Sequence, residues 1–534
     1  MTDRMSPIAY FDHALTDGAL TVWVCSNFVI ERKNVALEIA HRAPGLQRTV
    51  GRQGGSIVER SIRMHSLLRP YRVLESLVIV TAFLLLAGAG FAVEWPPTLD
   101  AKNTTTQSND GRAIERYTHG SREAWGYPAD ASGEWSFVPG PETGVAQQNH
   151  NCFYVVSPKN PRENAPLCVV LHSANRTAYD YLGFACLGRQ IENREDPAKV
   201  MTNSPDDFYS LYLSSTNAEW WGWSQTRDHR AKGINAPPPA ELRVLDTIEW
   251  VAARYKIDRN RIYLSGVSMG GCGTLGIGMP HGEVFAAVRA NVPAGTGYAA
   301  YRMGGIAPSP AMDAPQAERD AWLKRASGAG LPDPPVIVDF SSQQDGWSTT
   351  QPALVNAAQA GHLPLVLGWG PFGHVTFSSL IAKYPLCDVA LAYPWLEIRK
   401  NEAYPVFTRA SSDQRCPWLN APADFDGSGQ MNAYFRWKNK EDEPSSFAMQ
   451  LWIAHPAVKD PLGMPDTATA DITLRRLQQF KVQPGRIYAW QTIRDGDAIG
   501  SGKSSAGEAG LLTIPRVGLS IVPTELSVKS EAPK

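Results

Sequence analysis

Between residues 152 and 370, short apolar runs alternate with stretches of helical periodicity, and this alternation limits the chain to few folds. CFYVVSP (152–158), PLCVVLH (166–172) and FYSLYLSS (208–215) read as strands rich in β-branched and aromatic residues. PAELRVLDTIEWVAARY (239–255) carries apolar residues at helical spacing and reads as an amphipathic helix. IYL (262–264), VFAAVRANVPA (284–294), PPVIVDFSS (334–342) and LPLVLGWG (363–370) continue the strands, and QPALVNAAQAG (351–361) is another helix. Apolar strands separated by helices specify an α/β domain, a mostly parallel sheet with helices on both faces. In such sheets ligands sit beyond the carboxyl ends of the strands.

One of those ends carries RIYLSGVSMGGCG (261–273). Ser268 has Gly266 two residues before it and Gly270 two after, between a strand and the helical stretch TLGIGM. A strand that turns this sharply into a helix holds a hydroxyl clear of the backbone, and a Cβ at either glycine collides inside the turn. The same turn aims the Met269 N–H and the positive helix end at a bond under attack.

A serine hydroxyl needs a base, and the base needs an acid to orient it. In a sheet of this kind the chain order is Ser, acid, His. PPVIVDF is followed by SSQQDGW, which supplies Asp345; Asp339 lies inside the strand and is expected to face a helix layer. LPLVLGWG is followed by PFGHVTF, which supplies His374; His362 precedes that strand and belongs to the opposite edge. The second oxyanion donor is expected in the loop after an early strand, within VVLHSAN (169–175), at the N–H of Ala174 beside that of Met269.

No cofactor is expected. No C-x-x-C or Cys/His spacing matches zinc. GDAIGSGKS (496–504) imitates a phosphate loop, but Asp497 stands where its first glycine belongs and the stretch follows a strand as a hairpin tip. DFDGSGQMN (424–432) imitates a calcium loop without the later acidic ligand or flanking helices. A net charge of −1 leaves no footprint for nucleic acid or an anionic membrane, and no integral membrane partner is expected.

MHSLLRPYRVLESLVIVTAFLLLAGAGFA (64–92) has the arginine lead, apolar core and small residues of a secretory signal, which predicts a secreted or periplasmic protein; a signal anchor is the alternative. Residues 1–63 are read as an upstream extension or short tail, and 93–150 as an irregular lead-in. After export, Cys152, Cys168, Cys186, Cys272, Cys387 and Cys416 meet an oxidising compartment that permits disulfides. Residues 151–420 form the expected catalytic domain, with 295–333 as a lid. Beyond it AYFRWK, FAMQLWIA, ATADITLRRL, RIYAWQTI and GLLTIP alternate with period two, and 428–530 reads as an antiparallel β-sandwich.

VLHS (170–173), the serine turn, QQDGW (343–347) and GPFGH (370–374) together resemble the α/β-hydrolase superfamily. Over roughly residues 150–385 the chain is similar to secreted polyhydroxybutyrate-depolymerase-like and feruloyl-esterase-like serine esterases. The matching residues are Trp223, Asp246, Ala253-Arg254-Tyr255, Ile257-Asp258 and Arg261-Ile262-Tyr263, leading into the turn. Two departures stand out: Ser268-Met269-Gly270 replaces the Ser-Asn-Gly or Ser-Ala-Gly usual in those esterases, and His172-Ser173 replaces His-Gly. The resemblance implies hydrolysis of an ester substrate, small or polymer-linked, of an aromatic acid, carbohydrate or polyester. Trp220, Trp221 and Trp223 in AEWWGWSQ, with Trp347, are the aromatic residues expected to contact it. A serine peptidase of prolyl-oligopeptidase type and a non-catalytic surface-binding protein remain open as alternatives.

Overall fold

The computed structural model describes parts of 97–118, 152–182 and 205–220, then 239–293, 331–374 with short breaks, 393–414, 427–455 and 462–530, with a few residues near 315–321. The expected leader, residues 1–63, most of 295–333, and Trp221, Trp223 and Trp347 lie outside the described residues.

In chain order the strands and long helices are β1 (Thr98–Leu99), β2 (Ile114–Thr118), β3 (Cys152–Val156), β4 (Leu167–Leu171), β5 (Tyr209–Leu213), α1 (Pro239–Arg254), β6 (Ile262–Val267), α2 (Met269–Gly278), β7 (Ala287–Asn291), β8 (Val336–Ser342), α3 (Gln351–Gly361) and β9 (Leu365–Gly370). There follow β10 (Tyr404–Thr408), β11 (Gly429–Met431), β12 (Phe435–Asp442), β13 (Ser446–Ile453), β14 (Thr467–Arg475), β15 (Ile487–Arg494), β16 (Asp497–Ser505), β17 (Leu512–Ser520) and β18 (Thr524–Ser530).

Ten strands make one sheet in the order β1-β2-β3-β5-β4-β6-β7-β8-β9-β11. The run from β5 through β4 to β9 is parallel, and the outer pairings are antiparallel. From β4 the chain adds β5 on one side and β6 on the other, so the strand order reverses there, where such sheets open a ligand crevice.

Alternate residues of each strand feed two cores. One takes Leu167, Val169, Leu171, Leu264 and Val288 and packs them against Val244 and Ile248 of α1, Leu275 and Ile277 of α2, and Leu354 of α3. The other takes Cys168, Val170, Tyr263, Val338 and Val366 and packs them with Trp395 and the C-terminal strands. Helical residues meet both faces as expected, since Ala178, Tyr181 and Leu182 join the second core. The long described helices share one face, and the second face shares a core with the C-terminal strands, whose apolar sides need the same burial.

α2 is made from MGGCGTLGIG, whose five glycines disfavour a helix by about 4 to 5 kcal/mol relative to alanine. Tertiary burial holds it, since every residue from Gly270 to Gly278 is buried.

The lead-in supplies two short strands, where an irregular segment was expected. β2 pairs with β3 and is tied to α1: Arg254 Nε donates to Tyr117 Oη at 3.0 Å, the Tyr117 and Tyr255 hydroxyls meet at 2.8 Å, and Tyr255 bonds Glu115. Arg254 and Tyr255, from the run that carries the sequence resemblance, thus anchor the strand next to the sheet's edge.

The C-terminal strands form a three-stranded sheet, β10-β14-β17, and a five-stranded sheet, β12-β13-β18-β15-β16, both antiparallel. Residues of both share one buried cluster, the packing expected of a sandwich. The expected break at 420–428 is crossed twice. β10, before it, pairs with β14, while β11, after it, pairs with β9 of the large sheet. The phosphate-loop imitation forms β16 of a hairpin with β15.

Candidate active site

Ser268 stands between β6 and α2 at the carboxyl edge of the sheet, with φ 58° and ψ −117°. This positive φ is strained for a residue with a side chain, and the surroundings enforce it. The Ser268 N–H donates to Asn291 O at 2.9 Å, on the neighbouring strand end. A Cβ on Gly266 would run into the Gly270 carbonyl, and one on Gly270 into the Leu171 carbonyl. Both glycines are thus required by close backbone approach.

His374 Nε2 lies 2.7 Å from Ser268 Oγ, and His374 Nδ1 lies 2.6 Å from Asp345 Oδ2. An ionised carboxylate only accepts, so Nδ1 carries the proton and Nε2 is left to accept from the serine O–H. Asp345 is almost wholly buried, whereas the imidazole keeps about a third of its surface open (side-chain exposures of 1% and 32%). The acid is shielded and the base is partly open.

The structure separates the competitors as expected. Asp339 points into the helix layer, where its carboxylate accepts from Gln351 Nε2 at 2.9 and 3.0 Å and from Ser341 Oγ at 2.5 Å. Burial pushes it up to about 6 against the bonds from Ser341 and Gln351. His362 bonds Thr473 Oγ1 at 2.8 Å, among the C-terminal strands.

The two N–H groups expected to receive an oxyanion also lie near this edge. Met269 opens α2, so its N–H has no acceptor within the helix. Ala174 is exposed, and among the described residues its N–H has no acceptor.

Trp220 requires a correction. It is fully buried (0% exposed), and its indole N–H donates to the His172 carbonyl at 2.8 Å. It therefore presents no surface to a substrate. Three clustered tryptophans look alike in sequence, and Trp220 is sealed by Gly273 and His172.

Ser342 was missed. At the end of β8 its Oγ accepts from Gly373 N–H at 2.8 Å and Gln344 N–H at 3.3 Å. One hydroxyl thus joins the turn bearing Asp345 to the loop bearing His374. Its only sequence signal is a hydroxyl at a strand end, which many serines share.

Among the described residues no group of His, Cys, Asp and Glu is placed to hold a metal, and Cys152 and Cys168 are buried thiols outside any disulfide. Burial pushes Cys168 up to about 12, so it is no nucleophile at neutral pH. No helix among the described residues is long and apolar enough to cross a membrane.

No protein-family model and no curated protein matches the chain. Similar solved structures include the fluorophosphonate-binding serine hydrolase F of Staphylococcus aureus, at 12% identity over 45% of this chain and 92% of that one, TM-score 0.30. An S-formylglutathione hydrolase of Agrobacterium tumefaciens is similar at 14% identity over 56% and 99%, TM-score 0.33. A ferulic acid esterase is similar at 14% identity over 46% and 91%, TM-score 0.27. Likenesses at these scores carry no argument about chemistry, which rests on the geometry of Ser268, His374 and Asp345.

Proposed function

We propose that this protein is a serine hydrolase of the α/β-hydrolase type that cleaves carboxylic esters through an acyl-enzyme. One observation carries the reading: a strained serine at a strand-to-helix turn, 2.7 Å from an imidazole whose other nitrogen lies 2.6 Å from a buried carboxylate.

Ser268 Oγ attacks the ester carbonyl as its proton passes to His374 Nε2. Asp345 holds the imidazole in the tautomer that accepts and then stabilises the imidazolium. The tetrahedral oxyanion is received by the N–H groups of Met269 and Ala174. His374 returns the proton to the departing alkoxide oxygen, an alcohol leaves, and Ser268 is acylated. Water, deprotonated by His374, then attacks the acyl carbon, the Ser268 oxygen leaves with the proton, and the acid is released.

Trp221, Trp223 and Trp347 are the aromatic residues that would meet an aromatic acyl group or a sugar face. The leader at 64–92 supports export, and the C-terminal sheets are read as a β-sandwich attached to the catalytic domain.

The test is fluorophosphonate labelling of the protein and its Ser268→Ala variant, beside turnover of nitrophenyl acetate and a peptide anilide. Labelling lost in the variant, with ester turnover far above anilide turnover, is the expected result. Preferred anilide cleavage would make the protein a peptidase, and a folded protein that takes no label would have a serine turn without activated chemistry.

A further inference from the structure

The loop after β4 contains no glycine, yet it must hold a donor to within a few tenths of an ångström of an oxyanion. Its backbone groups account for how this is done. The His172 carbonyl accepts from Trp220 Nε1 at 2.8 Å. The Ser173 N–H donates to Tyr181 Oη at 3.0 Å. The Ser173 carbonyl meets His172 Nδ1 at 2.8 Å and the Arg176 N–H at 3.3 Å. Because that carbonyl only accepts, His172 Nδ1 carries a proton. The His172 ring itself is wedged between Trp220, at 5.0 Å between centroids, and Tyr181, at 6.3 Å.

We propose that Trp220, Tyr181 and His172 are positioning residues that lock the Ser173 peptide, so that Ala174 N–H, and not Ser173 N–H, is the loop's oxyanion donor. The proposal rests on the serine-hydrolase reading and deepens it. Ser173 N–H is already spent on a tyrosine hydroxyl, and Ala174 N–H is the first donor after it without an acceptor among the described residues. Trp220 also links the two donors. Its side chain packs against Gly273 of α2, the helix that Met269 opens, while its indole N–H holds the loop. A single buried ring thereby sets the spacing between the donor on the helix and the donor on the loop. Gly273 follows from the same contact, since a Cβ there would meet the Trp220 side chain.

The experiment uses the full chain with Tyr181→Phe, Trp220→Phe and the double variant. Nitrophenyl acetate kinetics are measured together with inhibition by a trifluoromethyl ketone, which forms a tetrahedral oxyanion on an active serine. Each single variant is expected to lose about ten- to a hundred-fold in kcat with KM within about two-fold, because a misplaced donor weakens only the transition state. Inhibitor affinity should fall by the same factor as kcat. The double variant should fall little further than the worse single one, because both bonds hold one peptide. Folded variants with wild-type kcat, or a raised KM at unchanged kcat, would overturn the proposal while leaving the hydrolase intact. If Trp220→Phe fails to fold, Tyr181→Phe decides alone, since it removes one oxygen. A wild-type protein without turnover would sink the hydrolase reading and this inference with it.

Discussion

The two edges of the central sheet are built on opposite principles. At the carboxyl edge, Ser268, His374 and Asp345 come from three separate strand ends and are joined by single hydrogen bonds, with one residue held at a strained φ. At the amino edge, two consecutive arginines at the end of β14 clamp the starts of several strands. Arg476 donates to the carbonyls of Ala286, Phe285 and Pro334 at 3.1 to 3.3 Å. Arg475 donates to those of His362 and Gly361 at 2.8 and 3.0 Å and to Asp333 at 3.0 Å. Burial holds Arg476 below the usual arginine range, against the pull of Tyr404 and Asp333, so its charge is kept where it is costly. The amino edge concentrates bonds to hold the C-terminal sheets, and the carboxyl edge spreads few bonds over groups that must exchange a proton. Rate and stability should therefore separate by edge.

The sharpest break is at the carboxyl edge. Ser268→Ala and Asp345→Asn should each lower ester turnover by about 10⁴-fold or more, because the three groups act as one unit. Their thermal midpoints should stay within about 2 °C of wild type, since neither change opens a cavity of consequence. Steady-state kinetics beside calorimetry checks both halves. An Asp345→Asn variant keeping a tenth of wild-type turnover would remove Asp345 from its assigned role.

The converse is Arg476→Ala. Three buried carbonyls lose a charged donor, although Ala286 O keeps the Val336 N–H and Pro334 O keeps the Tyr404 hydroxyl, and unfolding free energy should fall by about 3 kcal/mol. Turnover per folded molecule should be unchanged, because the arginine sits at the far ends of the strands. Urea unfolding and active-site titration measure the two quantities separately. A fall in kcat at undiminished stability would mean that the two edges are coupled.

The edges were also unequally legible. Carboxyl-edge chemistry leaves local marks, since a nucleophile turn needs glycines two residues either side and an acid or base must follow its strand directly. Ser268, Asp345 and His374 could be placed for that reason. Arg475 and Arg476 leave none, as RR after a β-run reads equally well as solvated charge. β2 was missed because its buried Arg116 is paired with Asp100, so a strand of the sheet looks polar in sequence. The exchange of β10 and β11 across the domain boundary depends on distant pairings to which a period-two pattern is blind. Trp220 shows the limit within the site, because local sequence cannot tell a sealed indole from an open one.

A smaller effect tests a clamp between α1 and α2. His281 follows α2, and its ring bonds Glu241 of α1 at 2.7 Å and Glu283 at 2.6 Å. Burial alone would lower its pKa, but the two carboxylates outweigh it and raise it to about 9. A histidine raised on folding contributes stability that is complete below its unfolded value near 6.5 and is lost as pH rises through about 9. Stability should therefore decline by on the order of 2 kcal/mol across that window, and His281→Gln should flatten the decline. Urea unfolding between pH 6 and 10 is the measurement. A wild-type curve flat over that range would show that the clamp carries no charge.

The smallest effect distinguishes two acids on one segment of chain. Asp339 and Asp345 lie within one strand and its following turn, but only the second meets a histidine. Asp339 has its pKa pushed up to about 6 by burial, so ionisation costs the fold something. The cost appears as pH rises from about 4 to about 6 and then stays constant. Asp339→Asn removes the charge, and Gln351 can turn its amide so that its oxygen accepts from the new side-chain amide. Stability at pH 7 should stay within about 1 kcal/mol of wild type or exceed it. The slope between pH 4 and 6 should flatten, and ester turnover should be unchanged. A collapse of turnover in Asp339→Asn with Asp345→Asn still active would reverse the assignment of the two acids, and would do so without disturbing Ser268 or His374.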